Sequence, residues 1–314
     1  MRILAPLSNV GELKELIPLG VDEFYFGISL VKHLDETQSL NLRPHDFANL
    51  KSISQVKKAA KIIHNNNLRC FLALNTDYFR ESLFKKSLEL LEEINFYIDG
   101  VIITDLVLIE KVRKLFPKLK IIASTRCNIL NSWSVKFYKD LGVDRFTLPR
   151  HLYLKDIIGI LERFPEEEFE IFIKNEDCPY LNGMCSYIHN LNLTLTSDEG
   201  AFCRVIERYG EFSLVDKNKL KGNFSLEESL KRRYDFCRNY NCGLCWLDKL
   251  EKFKQRVILK ITGRMLSLER KKRDLSFVKK SLEILEKKQP KSKILQLQRE
   301  IYPEYCDNKC YFDL

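Results

Sequence analysis

The residue types that could do chemistry are concentrated in one stretch of the chain. Six of the ten cysteines lie between residues 178 and 245. Thiolates are soft ligands that suit zinc and iron–sulfur clusters, and four of them complete either kind of site. A zinc ribbon normally shows two CxxC pairs, whereas only Cys242 and Cys245 have that spacing here. The spacing therefore favours an iron–sulfur cluster and leaves zinc or unligated thiols open. The six residues are Cys178, Cys185, Cys203, Cys237, Cys242 and Cys245.

A second group of cysteines could form a separate site. Cys237 and Cys242 are separated by four residues, and Cys306 and Cys310 near the end of the chain by three. Together they could form a thiolate cage that pins the tail to the cysteine-rich stretch. The alternatives are that they are surface thiols, or that Cys242 replaces Cys245 in the main site. The remaining two cysteines, Cys70 and Cys127, lie on or next to predicted strands, where small buried apolar residues are expected.

Charge and targeting signals narrow the classes of partner and compartment. The chain has 314 residues, a net charge of +9 and a pI near 8.9. This charge favours anionic partners such as RNA or phosphorylated metabolites, although a solvated Lys-rich surface gives the same sum. We see no signal peptide and no apolar run long enough to span a membrane. We therefore expect a cytoplasmic protein without membrane insertion, in which clustered cysteines indicate metal binding or redox chemistry rather than disulfides.

The elements that must position these residues follow a regular alternation. Short apolar runs alternate with amphipathic segments, the pattern of βα units around a parallel sheet. Eight such runs predict a TIM-like (β/α)8 barrel, with an open doubly wound sheet as the alternative. No internal repeat is evident. The predicted strands are Arg2–Pro6, Glu23–Gly27, Arg69–Asn75, Gly100–Thr104, Lys120–Thr125, Arg145–Pro149, Glu168–Lys174 and Val257–Thr262. The predicted helices between them include 11–18, 54–66, 81–95, 106–116, 132–141 and 154–164.

The long connection between the seventh and eighth strands is the exception to this alternation. We predict a barrel over residues 1–264, with a cysteine-rich metal-binding or cluster-binding insertion over 175–256. Residues 265–314 follow as a C-terminal basic helix and a cysteine-containing tail. The helix is predicted from Leu266 to Lys288, and Pro290 stops it. Its segment Arg270-Lys271-Lys272-Arg273 could track a phosphate backbone, or could be a solvated outer face.

Several sequence blocks resemble those of peptidase family U32, the collagenase-like peptidases, and the resemblance covers nearly the whole chain. The opening strand Ile3-Leu4-Ala5-Pro6 and the glycine-bounded strand from Gly20 to Gly27 are similar to the first two strands of that family. The blocks Asn41-Leu42-Arg43, Leu74-Asn75-Thr76, Asp105-Leu106, Ala123-Ser124-Thr125 and Thr262-Gly263-Arg264 follow in the family's order.

This resemblance implies a cofactor and an activity. Cys178, Cys185, Cys203 and Cys245 match the positions of the family's cluster ligands, which implies a 4Fe-4S cluster, with zinc as the alternative. Members of the family act in oxygen-independent hydroxylation of tRNA or rRNA bases or of aromatic quinone precursors, with prephenate as the implied hydroxyl donor. Two other functions remain open: a non-catalytic, metal-stabilised subunit that binds RNA or a sister U32 protein, and a U32-type peptidase. The chain departs from the family at Lys174-Asn175, where His-Gly is usual, and at Thr262, where Glu is usual.

Polar residues at the predicted strand ends are candidates for substrate binding, because barrels carry their active sites at the C-terminal ends of strands. Arg43 and Arg264 suit a dicarboxylate or a phosphate, with a structural ion pair as the alternative. Asn75 and Thr125 could also bind substrate, and Asp105 is expected to cap the following helix instead. The five histidines show no ligand spacing and are interpreted as surface or core residues. No catalytic residue is assigned. The substrate-binding candidates are Arg43, Asn75, Asp105, Thr125 and Arg264.

Overall fold

The computed structural model describes residues 1–29, 39–43, 46–76, 81–174 and 242–302, and these form a closed barrel of eight parallel strands. Each strand pairs with the next, and β1 pairs with β8 to close the ring. This confirms the TIM-like (β/α)8 prediction over the open sheet. The predicted strands begin at the observed residues, and most end one or two residues too late. The strands are β1 Arg2–Pro6, β2 Glu23–Phe26, β3 Arg69–Leu74, β4 Gly100–Ile103, β5 Lys120–Ala123, β6 Arg145–Thr147, β7 Glu168–Lys174 and β8 Val257–Ile261.

Helices connect the strands and cover the outside of the barrel. They are α1 Leu13–Leu16, α2 Ile53–Asn65, α3 Glu81–Ile94, α4 Leu106–Leu115, α5 Ser132–Asp140, α6 Leu154–Arg163, α7 Leu247–Leu250, α8 Leu268–Glu286 and α9 Lys291–Ile301. Short 3-10 segments add Val10–Glu12, Ile17–Leu19, Asp46–Ala48, Thr125–Cys127, Leu244–Trp246 and Glu251–Phe253.

Two helix ends differ from the prediction. Pro290 does stop α8, but it also caps the N-terminus of α9, a helix that the sequence analysis missed. The second helix was predicted to include residue 66, but Asn66 is its C-cap with φ −101°, and the next residue, Asn67, has φ 58°. The reason is that α2 ends at Asn65, so the left-handed position that follows the cap falls one residue later. No helix in the part of the chain that the structure describes is both long and apolar enough to cross a membrane.

Alternation along each strand separates two apolar layers. Residues facing outward pack against the helices in one large cluster, and residues facing inward fill the barrel. The helix α8 belongs to the outer cluster, since Leu275, Val278 and Leu282 on one of its faces are buried. The inward apolar residues are Leu4, Tyr25, Phe71, Ile102, Ile122 and Ile258.

The interior also contains a buried network of charges near the N-terminal ends of the strands. The Arg145 guanidinium donates to Glu23 Oε2 at 2.5 Å and to Glu168 Oε2 at 3.0 Å, and lies 3.4 Å from Glu170 Oε1. Lys260 completes the network through a bond of 2.5 Å to Glu170 Oε2. Burial opposes the charged form of Glu170, but Lys260 and Arg145 outweigh it and lower the pKa of this carboxyl. The network is therefore a paired, structural feature of the N-terminal half of the barrel.

A recurring aspartate ties pairs of strands together at this N-terminal end. In three pairs of neighbouring strands, an aspartate stands immediately before the second strand of the pair. Its carboxylate accepts a hydrogen bond from a backbone N–H of the first strand. The sequence analysis found no repeat, because only a Val-Asp or Ile-Asp dipeptide marks each of these joints. The bonds run from Ile3 to Asp22, from Cys70 to Asp99 and from Ile121 to Asp144, each 2.7 Å long.

Candidate functional site

Most of the predicted substrate-binding residues surround one end of the barrel. Asn75, Asp105 and Thr125 follow the C-terminal ends of β3, β4 and β5 within two residues, and Arg264 follows β8. Arg43 lies on the β2–α2 connection. Since all strands are parallel, these ends meet at one face, which we call the barrel mouth.

Arg264 is a buried cation at the barrel mouth. Its Nη1 donates to Asn49 Oδ1 at 2.9 Å and its Nη2 donates to Asn41 Oδ1 at 2.8 Å. None of the described residues offers it a carboxylate, so the structural ion pair considered from the sequence is not formed within that part of the chain. Burial, with a smaller effect of the Arg43 charge, lowers the pKa of the guanidinium to about 10. Arg264 thus remains charged at neutral pH while lacking a counter-charge among these residues.

Two glycines make room for this arginine. A Cβ on Gly27 would lie 2.1 Å from Arg264 Nη1 and 2.1 Å from Asn49 Oδ1, so only glycine fits beside the pair. Gly263 has φ +105°, and a Cβ there would meet Leu266 Cδ1 at 2.3 Å. The Gly-Arg dipeptide after β8 therefore has a physical reason: the turn requires glycine and directs the next side chain inward.

The opposite side of the barrel mouth carries neutral amide and hydroxyl groups next to the ends of β3, β4 and β5. Asn75 Nδ2 donates to Ser124 Oγ at 3.3 Å, which joins the ends of β3 and β5. Three buried oxygen atoms in this region have no hydrogen-bond partner within the described part of the chain: Asn75 Oδ1, Thr104 Oγ1 and Thr125 Oγ1. Buried polar atoms are nearly always satisfied in proteins, so a cluster of exceptions points to water or a bound ligand. Thr104 was missed by the sequence analysis, which counted it as the last residue of β4.

Asp105 has the capping role expected from the sequence. Its carboxylate accepts a bond of 2.8 Å from the backbone N–H of Leu108, in the first turn of α4. The carboxylate is therefore engaged in holding the start of that helix.

The basic segment of α8 is occupied by contacts within the protein. Lys271 is buried, and its Nζ donates to Ser8 Oγ at 2.6 Å and to Glu12 Oε1 at 2.9 Å. Arg270 lies 3.4 Å from Asp274 Oδ2 and Lys272 lies 3.1 Å from Glu269 Oε1. Lys271 therefore faces the interior of the protein, whereas Arg270 and Lys272 are half-buried and Arg273 is exposed, so both sequence interpretations remain predictions for those three residues.

The predicted metal ligands fall mostly outside the described residues. Cys178, Cys185 and Cys203 of the main site, and Cys237, Cys306 and Cys310 of the possible second site, lie in ranges 175–241 and 303–314. Cys245 is buried in the 3-10 segment Leu244–Trp246. Cys242 is half-buried, and its Sγ lies 3.9 Å from Gln298 Oε1. Both ligand sets remain predictions.

The described residues on either side of the cysteine-rich stretch lie at the C-terminal end of β7. Lys174, the last residue of β7, forms an antiparallel bridge with Cys242, and Gly243 N–H donates to Ile173 O at 3.0 Å. The stretch 175–241 therefore leaves and re-enters the described structure at the C-terminal end of β7, which belongs to the barrel mouth.

A further polar cluster lies at the other end of the barrel and was not anticipated. His64 was interpreted as a surface or core residue, but its Nε2 lies 3.0 Å from Asp99 Oδ2 and 3.9 Å from Cys70 Sγ. Cys70 and Cys127 are both buried, in accord with the sequence interpretation. Burial, the largest effect in each case, raises the pKa of both thiols, that of Cys127 to about 12.

Comparisons with known proteins identify related sequences. The sequence model of peptidase family U32 matches residues 8–310. An uncharacterized protease of Methanocaldococcus jannaschii is 30% identical over 59% of this chain and 43% of its own length. The tRNA hydroxylation protein P of Haemophilus influenzae is 28% identical over 58% of this chain and 37% of its own. The 23S rRNA 5-hydroxycytidine C2501 synthase of Escherichia coli is 24% identical over 60% of this chain and 26% of its own.

These alignments span less than half the length of each of the three relatives. Among solved structures, a U32 peptidase superposes with a TM-score of 0.42 at 16% identity, covering 55% of this chain and 69% of that one.

Proposed function

Because this chain belongs to peptidase family U32, we propose that it takes part in the oxygen-independent hydroxylation of an RNA base, with its active site at the barrel mouth. The names of several relatives support this proposal, since they describe hydroxylation of tRNA and synthesis of 5-hydroxycytidine in 23S rRNA. An aromatic precursor of a quinone is the alternative substrate, and it would bind at the same site.

The observation that carries the proposal is the division of the barrel mouth into two chemically different sides. One side holds the Arg264 guanidinium without a carboxylate among the described residues. The other side holds three buried, uncharged oxygens, from Asn75, Thr104 and Thr125, to which none of the described residues donates a hydrogen bond. A reaction between an anionic hydroxyl donor and a neutral heterocycle requires one site of each kind.

On the cationic side, we assign Arg264 to the donor. Two of its N–H groups are fixed by Asn41 and Asn49, and the rest of the planar fork can bind a carboxylate through both oxygens. A dicarboxylate such as prephenate fits this charge, and Arg43 lies near enough to influence the pKa of Arg264. On the neutral side, the Asn75 and Thr oxygens can accept N–H groups at the edge of a base.

The cofactor in this proposal is a 4Fe-4S cluster held by Cys178, Cys185, Cys203 and Cys245. The chemistry of the donor set fits, because four thiolates complete such a cluster, and the stretch that contains three of them begins at the mouth end of β7. Bound there, a cluster would supply electron transfer or Lewis acidity. The residues of the barrel would bind and orient donor and base and keep water out.

Nucleoside analysis tests the reaction. RNA from a deletion strain is digested and compared with RNA from its parent and from strains complemented with wild type, Arg264→Met or Cys245→Ser. We expect one hydroxylated nucleoside to disappear on deletion, to return with wild type, and to stay absent with both variants. An unchanged nucleoside profile, together with copurification of a related barrel protein, would instead favour a non-catalytic partner subunit.

Metal analysis tests the cofactor independently. Protein purified without oxygen is analysed for iron, acid-labile sulfide and zinc. We expect about four irons and four sulfides per chain in wild type, and a loss of both in Cys245→Ser but not in Cys242→Ser. A colourless protein with stoichiometric zinc in these sites would exclude the cluster. The peptidase alternative predicts cleavage of gelatin by the same preparation, which our proposal does not.

A further inference from the structure

A histidine, a cysteine and an aspartate converge at the N-terminal end of the barrel. His64 lies in the last turn of α2, Cys70 is the second residue of β3, and Asp99 immediately precedes β4. The Cys70 Sγ, His64 Nε2 and Asp99 carboxylate oxygen all lie within 4.8 Å of one another. We propose that these three side chains bind a zinc ion, with water as the fourth ligand.

The three side chains are arranged as metal ligands and not as a triad that transfers a proton. A cysteine protease needs the thiol on one imidazole nitrogen and the carboxylate on the other. Here both groups approach the same atom, His64 Nε2, with Asp99 Oδ2 at 3.0 Å and Cys70 Sγ at 3.9 Å. Tetrahedral bonds to zinc from these atom types would place the two pairs about 3.4 Å and about 3.6 Å apart. Shifts of a few tenths of an ångström are therefore sufficient for these two pairs.

The other two strand joints of the same kind provide an internal comparison. Asp22, Asp99 and Asp144 make the same 2.7 Å bond to a strand N–H, so that bond alone explains why an aspartate occupies each position. At the other two joints the donating residues are Ile3 and Ile121, which cannot bind a metal. Only at this one of the three joints do a cysteine and a histidine meet the aspartate.

Burial and exposure suit a site of this kind. The side chains of His64 and Asp99 are 40% and 31% exposed, which gives an ion and a water molecule access from solvent. Cys70 is buried behind them and carries its proton at neutral pH, since burial and the Asp99 charge raise its pKa. Zinc binding would displace the thiol proton to solvent and form the Zn–S bond.

Zinc stoichiometry tests the site in the full chain. Wild type, His64→Ala, His64→Gln and a matched control, Arg113→Ala, are equilibrated with buffered zinc and their bound zinc is counted. Arg113 pairs with Asp144 at an equivalent strand joint, as His64 pairs with Asp99. Its replacement therefore removes the partner of a joint aspartate without removing a proposed zinc ligand. We expect both His64 variants to bind one zinc fewer per chain than wild type and Arg113→Ala, whatever the cysteine-rich stretch binds.

A second readout identifies the ligand. Cobalt(II) in place of zinc should give a thiolate charge-transfer band in the wild-type minus His64→Gln difference spectrum. Equal zinc content in wild type, both His64 variants and the control would overturn the proposal, as would a difference spectrum without the thiolate band. Folding of each variant is checked by circular dichroism, and the conservative Gln variant covers the case in which Ala unfolds α2.

Discussion

Two buried arginines at opposite ends of the barrel predict opposite responses to the same substitution. Arg145 lies among three carboxylates, those of Glu23, Glu168 and Glu170. Replacing it with methionine leaves buried carboxylates without their main counter-charge, and breaking such a pair costs about 3–5 kcal/mol. Arg264 has no carboxylate among the described residues, so the same replacement should cost far less.

The magnitude for Arg264→Met follows from two opposing effects. Burial depresses the guanidinium pKa from 12.5 to about 10, so at neutral pH the charged side chain opposes folding by about 3 kcal/mol. Against this stand two lost hydrogen bonds, each worth about 1.5–3 kcal/mol. The bonded oxygens keep other donors, since Asn41 Oδ1 also accepts from Arg43 N and Asn49 Oδ1 from Asn41 Nδ2. The net change in the free energy of unfolding should lie within about 2 kcal/mol of zero.

Urea denaturation at neutral pH measures both variants, with the slope of the transition as a check that the unfolded states are comparable. We expect Arg145→Met to be destabilised by at least about 1 kcal/mol more than Arg264→Met. A dicarboxylate donor should raise the melting temperature of wild type and of folded Arg145→Met but not of Arg264→Met. If Arg264→Met proves as unstable as Arg145→Met, the buried cation has a structural counter-charge and its assignment to a ligand is wrong.

Three further substitutions test other parts of the barrel. Gly27→Ala should abolish hydroxylation in the complemented strain, because its Cβ would lie 2.1 Å from Arg264 Nη1; normal nucleoside levels would contradict this geometry. Asp105→Ala should cost about 1 kcal/mol of unfolding free energy through the lost helix cap, and leave the nucleoside profile unchanged; a missing nucleoside would give Asp105 a catalytic role. Burial would raise the pKa of Glu168, but Arg145 and its neighbours lower that pKa to about 2 from 4.5. The ionised carboxylate therefore stabilises the fold above pH 4.5, and this stabilisation is lost as the pH falls toward 2. Glu168→Gln should therefore flatten the acid limb of an unfolding curve, and an unchanged limb would show that other groups control it.

The fold could be read from the sequence because each βα unit is specified locally. Outward apolar residues, a terminal cap and a glycine after the helix recur within short windows, so strand beginnings were placed correctly. Strand ends were extended too far at Asn75, Thr104 and Thr125, because polar residues that line a barrel mouth continue the alternation of the strand. Three of these overextended strand ends are residues that we propose contact the substrate.

The contacts of the site could not be read in the same way. Arg264 meets its asparagines across 215 and 223 residues, and no periodicity encodes such a meeting. The identity of those partners decides whether Arg264 is an ion-paired structural residue or a charge available to a ligand. Likewise, Asp99 lies 35 residues from His64, so the cluster at the N-terminal end became visible only when adjacent strands were brought together.

The two ends of the barrel carry different sets of side chains. Strands of four to seven residues, such as β2 and β7, separate the ends by about 3.3 Å per residue, which is too far for a direct contact between the two sites. At the mouth, β7 leads into the cysteine-rich stretch and the chain returns at Cys242, and the same face carries Arg264, Asn75 and Thr125. At the other end, charges are paired and the aspartate joints hold strand to strand. Zinc at the His64 joint would stabilise β3, whose far end carries Asn75, while the reacting groups remain at the mouth. Loss of that zinc should consequently lower stability before it changes the hydroxylated product.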